Sequence, residues 1–244
     1  MKQSRNARRK GKINISVVIP ALDEALNIGD CLKSLEAQSR LPDEIVVVDN
    51  GSLDDTAEIA RVHGAEVLSF PRPDIRHGNI GLVRQKGVEY SKADIVVSTD
   101  ADCTFPQDWI QKIERHFAAN PRLAVLGGPV FNSNRSVWGD FVAGLGNFNR
   151  SYWAGWGIPW FLGGNTSFRR DAFLLSDGYK GAAGQGPVEE WILSFRLSRL
   201  GEWLWDDDLV CYTVAPQALL DDTALKIGSL VPVVAWTAAA VVRL

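Results

Sequence analysis

The sequence predicts an α/β protein with a mostly parallel sheet that helices cover on both faces. Short apolar runs rich in Val and Ile alternate with segments of helical periodicity, beginning at residues 13–38. Such runs are typical of strands that are buried on both faces of a parallel sheet. The 244 residues are 46% hydrophobic and 23% charged, which excludes wholesale disorder and allows one large domain with a sizeable core.

The first half of the chain carries four predicted strands and three predicted helices. In the first helix, Ile28, Leu32 and Leu35 recur at helical spacing. The second helix has acidic residues in its first turn and ends at Gly64. In order, we predict strand 13–20, helix 24–38, strand 44–49, helix 53–64, strand 65–70, helix 81–92 and strand 94–99.

The second half begins differently, because residues 130–161 are rich in tryptophan and glycine. Their glycine content predicts that this segment is not a regular core helix throughout. Beyond it we predict a helix at 188–201 and a strand at 209–214. The pattern indicates one domain in two functional halves, with the boundary near residue 104.

The charge of the chain is unevenly distributed, although its net value is only −3. Residues 1–12 contain six basic side chains and no acidic one, which leaves 20 basic residues against 29 acidic ones elsewhere. We interpret residues 1–12 as a basic flexible arm, either simply solvated or attracted to anionic lipid. No apolar core of a signal peptide follows the arm. Because the rest of the chain is acidic, nucleic acid is not an expected partner.

Three cysteines and one apolar terminal segment bear on the location of the protein. Cys31, Cys103 and Cys211 are odd in number and widely spaced, which predicts free thiols in a reducing, cytoplasmic compartment. The segment 227–242 is apolar over sixteen positions, short of the ~20 that a spanning helix needs. A buried helix, an interfacial helix and the start of a membrane span all remain open, and we favour membrane contact.

Two carboxylates, Asp100 and Asp102, directly follow the predicted strand 94–99. Ligands of parallel sheets bind beyond the carboxyl ends of the strands, and side chains at i and i+2 lie on one face. Two adjacent carboxylates repel each other unless a cation neutralises them. The pair therefore suggests a site for Mn²⁺ or Mg²⁺ that in turn binds a diphosphate, although two solvated loop acids would look the same in sequence.

Five segments in order resemble the family 2 glycosyltransferases, which have the GT-A fold and use nucleotide-sugars. They are ISVVIPALDEALNIGDCLKSLEAQ, EIVVVDNGSLDDT, NIGLVRQKGVEYSKADIVVSTDADCTFPQDW, LGGNTSFRRDAF and VEEWILSFRLSRLG. The resemblance extends over residues 13–214, and the ordered set is far more specific than a single motif. It implies a nucleotide-sugar-binding half at 13–104 and an acceptor-binding half at 105–215. From composition we add a C-terminal apolar segment at 216–244, for which membrane association is the favoured interpretation.

The resemblance also assigns roles to individual residues. On the donor side, it implies a nucleotide-sugar site formed by Pro20, Ala21, Glu24, Asp49, Asn50, Arg84 and Asp100. It implies a metal site at Asp102, with Asp100 assisting. On the acceptor side, it implies contacts with sugar or acceptor from Gly164, Asn165 and Glu189, and it makes Glu190 the catalytic base.

Three positions depart from the usual pattern of the family. Asn50 stands where the family more often has Asp, and Leu22 replaces a usual aromatic, so the nucleobase is not fixed by the sequence. Glu190 stands where Asp is usual, which keeps the carboxylate but lengthens its side chain. Glu189 also suits a simple role in complementing the helix dipole.

The expected reaction is an inverting transfer of one sugar to a hydroxyl group of a glycan or a lipid-linked acceptor, at the cytoplasmic face of a membrane or in the cytoplasm. The Q-x-x-R-W motif of processive synthases does not occur in the sequence. Trp153, Trp156 and Trp160 are individually explained by a core, but together they suggest an apolar acceptor or a bilayer surface. A polyprenyl phosphate acceptor, a sugar-phosphate nucleotidyltransferase and a non-catalytic nucleotide-sugar-binding module are the alternatives.

Overall fold

The computed structural model of the protein describes residues 13–72, 80–133, 137–161, 163–180 and 187–214. The predicted basic arm at 1–12 and the apolar segment at 216–244, including 227–242, lie outside these residues. Within them, every helix is too short or too polar to cross a membrane.

The first half of the chain forms the predicted alternation of strands and helices. Its elements are β1 (Ile15–Ala21), α1 (Ile28–Glu36), β2 (Glu44–Asp49), α2 (Thr56–Val62), β3 (Glu66–Ser69), α3 (Ile80–Tyr90) and β4 (Ile95–Thr99). Strand β1 pairs in parallel with β2 and with β4, and β2 pairs in parallel with β3. All four predicted strands and all three predicted helices are therefore confirmed.

The second half continues the same sheet. Its elements are β5 (Cys103–Thr104), α4 (Trp109–Ala119), β6 (Leu123–Gly127), β7 (Val130–Asn132), α5 (Val137–Gly155), β8 (Asn165–Arg169), α6 (Arg170–Leu175), α7 (Pro187–Ser198), β9 (Glu202–Trp205) and β10 (Cys211–Thr213). The main sheet has the order β3-β2-β1-β4-β8-β6-β9, and β8 runs antiparallel to both of its neighbours. A mostly parallel sheet, as predicted, thus joins both halves.

A second, three-stranded sheet has the order β5-β10-β7. Its central strand, β10, lies antiparallel to β5, which directly follows Asp102, and parallel to β7. Through this small sheet, the segment that follows the acidic pair at residues 100 and 102 is hydrogen-bonded to the last strand of the described residues.

The core lies on both faces of the main sheet. In β1, Ile15, Val17 and Ile19 pack on one face, whereas Val18 packs on the other. All four side chains are fully buried. This alternation places apolar side chains on both faces of one strand, as the runs of Val and Ile predict.

The glycine-rich segment is more regular than its composition suggests, because residues 137–155 form one long helix. A glycine inside a helix costs about 1 kcal/mol relative to alanine, and packing can offset that cost. Asn147 links α5 to β7, since its side chain accepts a hydrogen bond from Val130 N and donates one to Val130 O. Tertiary contact thus stabilises a helix that local propensity disfavours.

Candidate active site

The polar residues predicted at the carboxyl edge of the sheet do meet there. Asp49 ends β2, Glu24 lies in the loop after β1, and Asp100 directly follows β4. Glu24 is half-buried, and its pKa is raised by burial and by the charges of Asp102 and Asp100. Glu24 and Asp100, from separate parts of the sequence, therefore face one region, and Asp49 lies at the same edge of the sheet, beside Ala21.

Asp100, Asp102 and Cys103 form the candidate metal site, since one ligand atom from each lies within 4.8 Å of the others. Burial and the charge of Asp100 raise the pKa of Asp102, while Thr213 Oγ1 donates a 2.9 Å hydrogen bond to Asp102 Oδ2. Crowded carboxylates of this kind suit a hard divalent cation, whereas the Cys103 thiol is a softer ligand. The residues present fit the predicted Mn²⁺ or Mg²⁺ site.

Arg84 connects this acidic pair to the predicted base. Its guanidinium is buried, with Nη2 at 2.5 Å from Asp100 Oδ1 and Nη1 at 3.2 Å from Glu190 Oε1. Burial opposes the charge of Arg84, but Asp100 and Glu190 together raise its pKa above the ordinary value. The side chain therefore lies between two carboxylates, and a direct contact with the nucleotide stays a prediction.

Glu190 lies in the first turn of α7, beside a small cavity with an apolar lining. Burial raises its pKa, and the charge of Arg84 acts in the opposite direction. The backbone N–H of Gly163 also donates to this carboxylate. A Cβ atom on Gly163 would lie 2.4 Å from both Arg84 Cζ and Glu190 Oε1, so the close approach of backbone and ion pair requires glycine.

Gly164 and Asn165 connect the site to the core. A Cβ on Gly164 would lie 2.8 Å from Asp100 Oδ2, and Thr99 Oγ1 donates to Gly164 O at 2.9 Å. The Asn165 side chain is fully engaged: it accepts from Trp109 Nε1 and donates to the carbonyls of Pro129 and Leu209. Because this amide is buried and fully hydrogen-bonded, it holds the neighbouring Gly164 in place. Only the backbone atoms of residues 164 and 165 are then available to contact a sugar.

Glu189 faces away from Glu190 towards the start of α3. Its side chain is buried, and Oε2 accepts a 3.1 Å hydrogen bond from Gly81 N. A carboxylate at the first turn of a helix satisfies a free amide and complements the dipole. This contact supports the structural role for Glu189 and not the predicted contact with sugar or acceptor.

The predicted nucleobase site lies between the loops after β1 and β2. Asn50 N donates to Ala21 O at 2.8 Å, and Pro20 and Ala21 are buried. Asp49 Oδ1 accepts from Ser52 N. Within the described part of the chain, the buried Oδ1 of Asn50 has no hydrogen-bond partner. Such an atom is available to accept a hydrogen bond from a ligand.

Arg72 bridges the two loops, a contact between distant residues that no sequence motif indicates. Its Nη2 lies 2.6 Å from Asp23 Oδ2, and its Nη1 donates to Gly51 O at 2.9 Å. The hydrogen bond from Arg72 lowers the pKa of Asp23 to about 2. Asp23 has a φ of 55° and Gly51 a φ of 74°, so this rim is built from left-handed turn residues.

Residues 16–174 match the family described as glycosyl transferase family 2. The chain belongs to this family. Its mostly parallel sheet is the GT-A fold of the solved family structures that it resembles.

Two solved structures and one curated relative show the extent of the similarity. A mannosyltransferase from Pyrobaculum calidifontis in complex with GDP-Man and Mn²⁺ has a TM-score of 0.66 and 19% identity, covering 85% of this chain and 58% of that one. Glucosyl-3-phosphoglycerate synthase from Mycobacterium tuberculosis, in complex with Mn²⁺, UDP and glucosyl-3-phosphoglycerate, has a TM-score of 0.61 and 25% identity, covering 86% and 75%. Glucosyl-dolichyl phosphate glucuronosyltransferase of Haloferax volcanii is 27% identical over 183 residues, covering 69% and 56%.

The first curated relatives are considerably longer than the matched region, since the alignments cover 33% and 29% of their lengths. The match locates the family-2 glycosyltransferase region in this chain. This similarity therefore establishes neither the donor, nor the acceptor, nor the activity of the whole protein.

All three cysteines of this family-2 protein lie around the acidic pair. They are buried free thiols, as predicted. The Cys31 and Cys211 thiols lie 3.7 Å from Asp100 O and Gly164 O, respectively, and the Cys103 thiol lies 3.7 Å from Asp102 Oδ1. Their wide spacing in sequence gave no sign of this convergence.

Arg150 on α5 is a further residue that sequence reasoning missed. It is half-buried, and its guanidinium lies over the ring of Trp160, with Cζ 5.7 Å from the ring centroid. Its charge acts on Glu190 and helps to lower the pKa of that carboxylate. The long glycine-rich segment thus supplies a cation to the side of the site that holds the predicted base.

Proposed function

We propose that this protein transfers a single sugar from a nucleotide diphosphate-sugar to a hydroxyl acceptor, with inversion at the anomeric carbon. The observation that carries the proposal is a continuous series of charged groups. It runs from Asp102 and Asp100 at the sheet edge, through the buried Arg84, to Glu190 on α7. A site for a diphosphate and a candidate base are thereby held at a fixed separation.

In this proposal Glu190 removes the proton from the acceptor hydroxyl as its oxygen bonds to the anomeric carbon. The bond between that carbon and the diphosphate oxygen breaks in the same displacement, and the nucleoside diphosphate leaves. General-base catalysis of this kind is worth about 10²–10⁴-fold in rate. One carboxylate is enough for a single displacement, so no covalent intermediate on the protein is needed.

The chain's own groups support both ends of this displacement. Asp102 and Asp100 are the residues that would hold Mn²⁺ or Mg²⁺, and the bound ion would stabilise negative charge on the leaving diphosphate. Arg84 links Asp100 and Glu190, because its guanidinium pairs with both. The unpartnered Oδ1 of Asn50 and the Asp49 carboxylate are the groups proposed to bind the nucleobase.

Peripheral membrane contact at the cytoplasmic face, with a lipid-linked or cell-surface glycan acceptor, is part of the same proposal. It is supported by an exposed apolar face of α5 and the turn that follows it, which consists of Leu145, Phe148, Tyr152 and Trp156. The basic residues of 1–12 and the apolar residues 227–242 in the sequence support it as well. Flotation with phosphatidylcholine vesicles, with and without phosphatidylglycerol, tests this contact directly.

A screen of UDP-, GDP- and dTDP-sugars in the presence of Mn²⁺ tests the donor. We expect one nucleotide series to bind only with the metal and to release its nucleoside diphosphate in slow hydrolysis. Proton NMR of the transfer product reports the anomeric configuration, which we expect to be inverted. Binding without release would favour a non-catalytic module. Consumption of added pyrophosphate, with formation of nucleoside triphosphate and sugar phosphate, would favour a nucleotidyltransferase, and a retained configuration would contradict the mechanism.

A further inference from the structure

Arg150 is a cation without a matched anion. Among the residues that the structure describes, it makes no salt bridge within 4.0 Å, and its buried Nε has no hydrogen-bond partner. Burial lowers its pKa to about 10, so the guanidinium remains charged at neutral pH. A charged group held out of water without a partner is costly, and such an arrangement is typical of a site that binds an ion.

The fold holds Arg150 in this position. Asn147, one helical turn earlier, fastens the same side of α5 to β7 through two hydrogen bonds with Val130. Gly146 lies one turn before Arg150, and a Cβ there would be 3.3 Å from Arg150 Nη1, so glycine leaves room for the guanidinium. The ring of Trp160 covers its face. A planar fork that is oriented in this way suits two oxygens of one anionic group.

Arg150 lies on the Glu190 side of the site, because it contacts Trp160, which directly precedes Phe161, and Phe161 and Glu190 line the same small cavity. Of the site carboxylates, Glu190 is the one whose charge acts on Arg150. Arg84 occupies the space between Glu190 and Asp100, and it is already paired with both. A donor diphosphate bound near Asp100 and Asp102 is therefore closer to Arg84 than to Arg150. The group that approaches Glu190 from the other side is the acceptor.

We propose that Arg150 binds an anionic group of the acceptor, a phosphate or a carboxylate, so that the accepting hydroxyl lies next to Glu190. This inference rests on the proposed function, because it takes the Glu190 end as the acceptor side. It narrows the acceptors to molecules that carry both a hydroxyl and an anionic group. The anionic group belongs either to a small soluble molecule or to the head group of a lipid.

The test measures binding of an anionic probe without turnover. Glycerol 3-phosphate and, as its uncharged counterpart, glycerol are titrated calorimetrically into protein that is saturated with Mn²⁺ and the nucleoside diphosphate found in the donor screen. Phosphatidylcholine vesicles with and without phosphatidylglycerol, whose head group carries a phosphate and hydroxyls, form the lipid arm. The variants are Arg150→Gln, Arg150→Lys and the control Arg199→Gln. Arg199 also lies over an aromatic ring, Phe195, at 5.7 Å, but it is exposed and directly follows the C-terminal end of α7.

We expect the wild-type protein and Arg199→Gln to bind the phosphate probe, and Arg150→Gln to bind it roughly tenfold to hundredfold more weakly. Arg150→Lys should recover part of the affinity, since lysine keeps the positive charge but lacks the paired N–H donors of the planar guanidinium. Selective loss of vesicle binding would identify the lipid source, and loss of glycerol 3-phosphate binding the soluble one. If neither probe binds the wild type, or if Arg150→Gln binds both probes as the wild type does, the proposal is wrong.

Failure of the anion site and failure of the proposed reaction can be told apart. A protein that binds the phosphate probe through Arg150 but transfers no sugar would contradict the proposed function and leave the anion site intact. If the protein transfers sugar to an uncharged acceptor equally well with and without Arg150, the anion site is contradicted and the proposed function stands. Circular dichroism and the melting temperature of each variant establish that it is folded.

Discussion

The proposed metal end of the site, at Asp100 and Asp102, and its proposed acceptor end, at Glu190 and Arg150, have different surroundings. At the metal end, Asp100 and Asp102 follow a fully buried strand, and each is bonded to a neighbour: Arg84 for Asp100 and Thr213 for Asp102. At the acceptor end, α5 presents exposed apolar side chains on one face and the half-buried Arg150 on another. At the metal end each carboxylate thus has a partner within the protein, whereas at the acceptor end the buried Nε of Arg150 has none among the described residues.

This difference fits the tasks proposed for the two ends. A diphosphate and a cation are chemically the same for every nucleotide-sugar, so a rigid sheet edge with fixed carboxylates serves them all. Acceptors differ, and a helix that is held to the sheet at Asn147 can vary its remaining faces without disturbing the core. Glu190 and Arg84 join the two ends, so they are the residues at which the comparison can be tested most sharply.

The largest effect is expected for Glu190→Gln. The change removes the proposed base and keeps the size of the side chain, so turnover should fall by about 10²–10⁴-fold while donor affinity is retained. Single-turnover rates and donor calorimetry measure the two quantities separately. Glu189→Gln is the matched control, because the neighbouring carboxylate accepts from Gly81 N and should affect melting temperature more than rate. Near-normal turnover of Glu190→Gln with its true acceptor would remove Glu190 from the mechanism.

Arg84→Gln should be the most destabilising of the charge changes. It leaves Asp100 and Glu190 without their shared cation, and breaking a buried ion pair costs about 3 kcal/mol or more of unfolding free energy. Urea unfolding gives this value. Arg40→Gln is a matched control, since Arg40 also joins two carboxylates, Asp43 and Glu114, far from the site. Both variants should be destabilised, but only Arg84→Gln should lose transfer activity in the folded fraction.

The pH dependence of transfer should reflect the environment of Glu190. Burial and the charge of Asp100 raise its pKa, whereas Arg84 and Arg150 lower it. The base acts when ionised, so kcat/KM should fall as the pH falls through a pKa above the ordinary 4.5 of glutamate. Arg150→Gln removes a lowering charge and should move this acidic limb to higher pH, while Arg199→Gln should leave it in place. An acidic limb at or below 4.5 would contradict the raised pKa of Glu190.

Most of the sheet and its polar edge could be predicted from sequence, because the information is local. Runs of Val and Ile identify the strands, and the rule for parallel sheets then brings Glu24, Asp49 and Asp100 to one edge. Glu190 could be assigned only through the family resemblance. Its link to Arg84 joins residues 106 positions apart, and no periodic pattern encodes such a contact.

The acceptor end was less predictable for physical reasons. Glycine content suggested an irregular segment where packing stabilises the helix α5. The pairing of Arg72 with Asp23 and the convergence of the three cysteines also depend on contacts across the fold. Asn165 was predicted to contact substrate, but its amide is fully occupied within the core. Sequence therefore located the ends of strands better than the partners of individual side chains.

The smallest effect is expected for Thr213→Val, which tests how firmly the metal end is held. Thr213 lies on β10 and donates to Asp102 Oδ2, 111 positions away in sequence. Valine keeps the shape and removes the donor, so Asp102 loses its orientation, and Mn²⁺ affinity should fall about tenfold, as for other partners of metal-binding carboxylates. Calorimetry with Mn²⁺ measures the change, and Thr104→Val on the neighbouring strand β5 is the control. If Thr213→Val binds Mn²⁺ as the wild type does, the small sheet contributes only to folding, and the contrast between a rigid metal end and a variable acceptor end weakens.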